Sequence, residues 1–407
     1  MTYRLLVSLL FCLPLCATVN VKDYGAVGDG STNDTAAINA AFAAGCSTSD
    51  SVYIPAGIYS VDPLDHLSAC SATFYGDGSG KSTIRFRSAV SGYFQNLLSF
   101  ESGAGRTLTF NDFALDGRHA ELAGLAVSGY GTVNVNRIAS YNFGVPGYSQ
   151  GHSKPLDGLY IQNSTNVTVK NSIFTGNERM GVELQAINNS TVDSSTMSGN
   201  GGMGGVSEQN FSGPLAGPIH AVWSNNTFQG NGSGCIDVET DPSLPPAQGI
   251  ITGNHCSDSG NNNWDSGWGI VLGLHAYGQI TGNNINNYGS CADSRTVGTG
   301  YNQAIVLGTP GGPITISNNI VKGTRSSAVL AANSPYAVTI SSNTFTSNGS
   351  GIDAYSDPGI QITGNTITSN VNYGIALSAS SGYYVNGNTL SANNPDFVVN
   401  GAPRIQQ

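Results

Sequence analysis

Short alternations of apolar and polar residues recur along this chain. "GVELQ", "CIDVE", "GIVLG", "AIVLG", "GIDAY" and "GIALS" set apolar side chains at every second position, the period of a strand with one buried face. A second phrase accompanies them: "VKNSIFTGN", "WSNNTFQGN", "ITGNHC", "ITGNNI", "ISNNIV", "ISSNTF", "ITGNTI", "VNGNTL". Aligning these phrases brings one polar residue into register at Ser172, Ser195, Asn226, Asn254, Asn283, Asn319, Asn343, Asn365 and Asn388. The last three intervals are 24, 22 and 23 residues. A period in the twenties, built from strands without helices, predicts a stacked solenoid. A leucine-rich repeat would require a fixed leucine spacing that is absent. The register residue fits a tight turn, where Asn tolerates unusual backbone angles and can bond to the next coil.

Composition agrees. The chain has 407 residues, 54 of them Gly, and only 10% are charged. Such a mixture favours many short strands joined by turns. The net charge of −10 argues against nucleic acid as a partner. At the start, Arg4 precedes an apolar run from Leu5 to Leu15 and then small residues, which reads as a signal peptide over 1–17. That run is too short for a membrane span, and Leu15 is too large for a lipoprotein anchor through Cys16. Secretion makes disulfides permissible among Cys46, Cys70, Cys235, Cys256 and Cys291. An odd count leaves one unpaired, and Cys46 is expected to pair with Cys70 because no other cysteine is near them in sequence.

"GDGSGKST" raises a nucleotide-binding question. A phosphate cradle needs Gly at position 75, which is Tyr75, and a helix afterwards, where "STIRF" alternates like a strand. "VNVKDYGAVGDGSTNDTAAINAAFAA" followed by "VYIPAGIY" resembles the N-terminal signature of the pectate-lyase-like superfamily, which includes polygalacturonases, related lyases and phage tailspikes. The resemblance implies one right-handed parallel β-helix domain over 18–407, with the cap and first coils in about 18–90. It implies that a helix near Asn33 to Ala44 caps the open end, and that "GDGSGKST" is a turn between early strands. Locally, Asn33 or Asp34 can start that helix and Gly45 stop it. About eleven coils are expected.

The ladder steps are uneven. After 23 they lengthen to 31, 28, 29 and 36 before returning to 24. Extra residues cannot enter stacked strands without breaking register, so they leave as loops. A groove is therefore expected over about 142–310. Alternation there predicts two outward columns: Tyr160, Glu183, Ser207 and Asp237, beside Gln162, Gln185, Gln209 and Glu239. Glu208 would then point inward unless the strand bulges. Trp264 and Trp268, with Tyr288 and Tyr301, are candidate sugar-stacking residues. His220 and His275 also fall in the region.

The polygalacturonase pattern places Asp157 on the family's first catalytic aspartate. Its Asp-Asp pair reads as Glu178 and Arg179, its histidine as Met203, and its two carboxylate-gripping basic residues as Asp237 and Glu239. The charge is inverted, which argues against polygalacturonate as substrate. Three functions follow for a secreted protein expected to be a monomer on a polysaccharide. In the first, an inverting glycoside hydrolase uses a carboxylate pair, Glu183 as acid with Asp237 or Asp157 as base. In the second, a polysaccharide lyase takes Arg179, Lys154 or His152 as base and binds Ca²⁺ through Glu183, Asp237 and Glu239. The third is a polysaccharide-binding surface protein without catalysis. The hydrolase requires no cofactor.

Overall fold

The computed structural model describes residues 18–87, 95–144, 156–209, 218–259, 267–286, 302–399 and 402–403. The alternating phrases stack into three sheets of 14 strands, each coil after the first giving one strand to each sheet. The first sheet runs from Thr18–Asn20 to Tyr384–Asn386, the second from Asp29–Asn33 to Thr389–Ser391, and the third from Leu67–Ser68 to Phe397–Val399. All pairings among the described residues are parallel except the last, where Ala402–Pro403 turns back on Phe397–Val399. The architecture is a right-handed parallel β-helix, longer than the expected eleven coils. The earliest coils lack the recurring phrase, so their number was not legible in it. No helix among the described residues is long and apolar enough to cross a membrane.

Inward side chains fill the prism in rows. Phe74 and Phe110 stack at 5.4 Å, and Phe100 packs 5.2 Å from each. Burying each ring contributes up to about 3 kcal/mol. The cap helix α1 spans Thr35–Thr48, three residues past the predicted stop. Asn33 Oδ1 accepts from the Thr35 backbone N–H at 3.1 Å, while the Asp34 carboxylate takes the N–H groups of Val27 and Gly28 instead. Gly45 is therefore not the terminator. A Cβ there would meet Val52 Cγ2 at 2.3 Å, so Gly45 lets the helix lie against the first sheet, and Ser49 ends it with φ 61°. Cys46 bonds Cys70 as expected, and Cys235 bonds Cys256; Cys291 lies outside the described residues.

The polar register residues form a continuous buried ladder at the corner between the first and second sheets. From Asn226 onward, each Asn Oδ1 takes the backbone N–H of the preceding rung, as in Asn254 to Asn283 and Asn283 to Asn319, both at 2.9 Å. Ser172 and Ser195 continue it with hydroxyls. The rungs themselves do not adopt the left-handed conformation. That falls on the residue before each: Asn225, Gly253, Gly282, Asn318, Ser342, Gly364 and Gly387. A second ladder, unforeseen, runs five positions later through Asn177, Asn200, Asn231 and Ser259, and again through Thr324, Asn348, Asn370 and Asn393. The longer ladder steps contain 210–217, 260–266 and 287–301, which in chain order adjoin third-sheet strands, as does 145–155.

Candidate functional site

The outward face of the third sheet gathers most of the predicted polar residues. Strand pairing stacks Tyr160, Glu183, Val206, Asp237 and Val271 in one column. The neighbouring column is Gln162, Gln185, Glu208 and Glu239. Two expectations are thereby corrected. Ser207 points inward, where its hydroxyl accepts the Trp223 indole N–H at 3.1 Å, and Glu208 points outward. The cause is Gly205: a Cβ there would meet the Trp223 ring at 2.2 Å, so an inward position is glycine and the apolar alternation reads one residue out of step. Gln209 pairs with Thr240 and does not join the column.

The columns are cross-linked. The Tyr160 hydroxyl lies 2.9 Å from Gln162 Oε1 and 2.8 Å from Gln185 Oε1, and Gln185 Nε2 donates to Glu208 Oε1 at 3.0 Å. Burial pushes the Tyr160 phenol up to about 12, so it stays protonated and polar rather than anionic. Glu208 and Glu239 face each other on adjacent coils. Burial, and then the Glu208 charge, raise the Glu239 carboxyl above the ordinary carboxylate range. Asp237 and Glu239 project from one strand on the same side and converge on Gly273 of the next coil. A Cβ on Gly273 would lie 2.8 Å from Glu239 Oε2 and 3.4 Å from Asp237 Oδ1. The two oxygens are thus no farther apart than those distances together.

Glu183 does not belong to that group. It is 2% exposed, and Val206 separates it from Asp237 in the column. It pairs with Arg179, whose Nε also donates to Asp157 Oδ1 at 3.1 Å. The same Asp157 oxygen accepts the Met180 N–H at 2.8 Å. Asp157 is fully buried, which raises its pKa despite the guanidinium beside it. Arg179 is held between two carboxyls, which opposes its expected use as a base. Glu183 is thus buried in an ion pair with Arg179, two coils from Asp237, rather than the exposed acid expected. Among the described residues no group of three His, Cys, Asp or Glu side chains could hold a metal ion.

The other candidates disperse. Glu178 is buried against Gly144 at the entry to the third sheet. Trp268 is half-buried at the edge of that sheet, beside Gly234. His275 occupies the corner turn after the third sheet, with φ 53°, and His220 lies on the first sheet bonded to Gln248. Trp264, Tyr288, Tyr301, His152 and Lys154 lie outside the described residues. Glu208 and Gly273 were missed from the sequence; a full strand-by-strand register would have found them.

A family model described as rhamnogalacturonase A/epimerase, pectate lyase-like matches residues 18–290, and one for the right-handed β-helix region matches 216–390. Mannuronan C5-epimerase AlgE3 of Azotobacter vinelandii is 30% identical over 221 residues. That match takes in 46% of this chain and only 12% of the length of AlgE3. The solved A-module of mannuronan C-5 epimerase AlgE4 from the same organism superposes with TM-score 0.56 at 18% identity, covering 94% of this chain and 97% of the module. The Streptococcus pneumoniae surface protein and adhesin PfbA gives TM-score 0.58 at 15% identity, covering 94% of this chain and 100% of that one. At these identities the two structures show the fold alone.

Proposed function

Because the chain belongs to the rhamnogalacturonase A/epimerase, pectate lyase-like family, we propose that it is an exported carbohydrate-active enzyme. It binds a polysaccharide along the outward face of the third sheet and cleaves it between Asp237 and Glu239. The convergence of these two carboxyls over Gly273 carries the reading. Glycoside hydrolysis needs one carboxyl that keeps its proton and one that is ionised. Glu239, raised by burial and by Glu208, is the acid that protonates the glycosidic oxygen. Asp237 attacks the anomeric carbon as the bond to that oxygen breaks. Water, deprotonated by the Glu239 carboxylate, then releases the sugar from Asp237. The two carboxyl oxygens lie within the sum of 2.8 and 3.4 Å, below the about 6.5–9.5 Å of inverting enzymes and compatible with the about 5–5.5 Å of retaining ones. Retention therefore replaces the inversion expected with Glu183 as acid. Tyr160, Gln162 and Gln185 present a hydroxyl and amides to sugar hydroxyls along the same face.

Similarity to mannuronan C5-epimerases favours one other reading, proton exchange at a uronate carbon with or without elimination. That chemistry calls for a cation to neutralise the uronate carboxylate, and Arg179 is already engaged by Asp157 and Glu183. Incubating the protein with neutral and acidic polysaccharides in deuterated buffer separates the two. New reducing ends with retained anomeric configuration and no absorbance near 235 nm support hydrolysis. Deuterium incorporation into an uncleaved polymer, or absorbance near 235 nm accompanying the new reducing ends, would replace it with the epimerase or lyase reading.

A further inference from the structure

Glu239 stands at the end of a hydrogen-bonded row that begins three coils away. Gln162, Gln185, Glu208 and Glu239 occupy one register position on successive coils of the third sheet. Beside the first two, the Tyr160 hydroxyl lies 2.9 Å from Gln162 Oε1 and 2.8 Å from Gln185 Oε1. Toward an amide oxygen a hydroxyl can only donate. The Gln185 amide is thereby held with its oxygen on Tyr160, which turns Nε2 onto Glu208 Oε1 at 3.0 Å. An ionised carboxylate only accepts, so this orientation fits Glu208 as the charged member of its pair with Glu239. The reverse orientation would set the amide oxygen against Glu208 and call for a proton there.

Two facing carboxyls do not ionise independently, and the charge settles where donors outweigh neighbouring charge. Each of the two has a donor: the Gln185 amide for Glu208, the Leu274 N–H for Glu239. Their strands differ. Beside Glu239, on the same side of its strand, is Asp237; at the matching place beside Glu208 is Val206. The following coil offers Glu239 only Gly273, which carries no charge. Negative charge on Glu239 is therefore opposed from two sides. We propose that Glu208 is a positioning residue for the acid and that the Tyr160–Gln185 arm aims it, together keeping the proton of the pair on Glu239. The proposal rests on Glu239 as the acid of the cleavage and adds Tyr160, three coils away, as a residue that sets its protonation.

Carbon-13 labelling of the glutamate side chains, with Glu239→Gln and Glu208→Gln spectra to assign the two signals, reads the pair by NMR titration without substrate. In the wild type Glu239 should hold its proton to higher pH than Glu208. Glu208→Gln should move the Glu239 midpoint to lower pH, and the alkaline limb of turnover should move with it. Tyr160→Phe keeps the ring but frees the Gln185 amide to reverse, so part of the upper step should pass from Glu239 to Glu208. In the Glu208→Gln background Tyr160→Phe should change nothing further, because the arm acts through that carboxylate. A Glu239 midpoint unmoved by Glu208→Gln, or an effect of Tyr160→Phe that persists without Glu208, would overturn the proposal. If the midpoints move as expected while turnover keeps its limb, the arm stands and Glu239 loses its role as acid, so the two readings fail separately.

Discussion

Replacing Asn319 by Ala removes one rung from the middle of the ladder. Its Oδ1 is the acceptor for the Asn283 backbone N–H at 2.9 Å and side-chain amide at 3.0 Å. Its Nδ2 donates to Ile280 O at 2.8 Å and Asn343 Oδ1 at 3.0 Å. Asn343 Oδ1 keeps the Asn319 N–H, and Asn283 Nδ2 keeps Ile251 O, so those losses are partial. The Asn283 N–H is left with no partner. A buried orphan of that kind costs about 1–3 kcal/mol, and each partial loss adds roughly 0.5–1. The expected destabilisation is about 3 kcal/mol. Asn388→Ala, at the half-exposed end of the same ladder, should cost only about 1 kcal/mol because water can replace the amide. Urea unfolding gives the global values. Hydrogen exchange at the Asn283 amide reads the local one, expected to quicken by on the order of 100-fold. A loss below 1 kcal/mol for Asn319→Ala, or equal losses at the two positions, would refute the ladder as the element that locks coil to coil.

Three further outcomes are expected. Turnover should fall as pH rises through the raised pKa of Glu239, because the acid must be protonated, and Glu239→Gln should abolish that limb; a limb surviving in the variant would remove Glu239 from the role. Gly273→Ala should cut activity at least tenfold with a small change in melting temperature, since its Cβ would displace the Glu239 carboxylate; unchanged kinetics would show that the notch is not used. Burial raises Asp357 from the ordinary 3.8 to about 6, so the folded state binds its proton more tightly than the unfolded one. That contribution is complete below about pH 4 and is lost as pH rises through about 6. Stability should therefore decline across this window, and Asp357→Asn, which can still accept the Ser334 N–H, should flatten the decline in melting curves taken from pH 4 to 7.

The solenoid was legible because it repeats: one polar residue per coil at a fixed place in a fixed phrase. The second ladder was equally present in the final Asn of "SIFTGN" and "TFQGN", but it passes there for turn composition. Orientation was legible wherever the core position is a large aliphatic, as at Ile236 and Val238. It failed at "GVSEQ", where Trp223 takes the volume that an inward side chain at Gly205 would have filled. For Glu183 the outward direction was right and the exposure wrong, because Arg179, one turn of chain earlier, folds over it. An ion pair between residues that alternation treats separately has no periodic signature. Asp157 shows the same limit: Asp-Gly suggests a turn, whereas its carboxylate is committed to Arg179 and Met180 of the next coil.

The most direct test of the account is reducing-end formation on a panel of neutral and acidic polysaccharides. Wild type, Asp237→Asn and Glu239→Gln are compared, with melting curves on the same preparations. Both side chains are half-buried on the outer face and each replacement keeps their volume, so each variant should melt within about 1 kcal/mol of the wild type. Each should lose at least about 100-fold in turnover, and the double variant little more than the worse single one. Full activity in both single variants, with folding intact, would contradict the assignment of the third-sheet carboxyl pair as the active site.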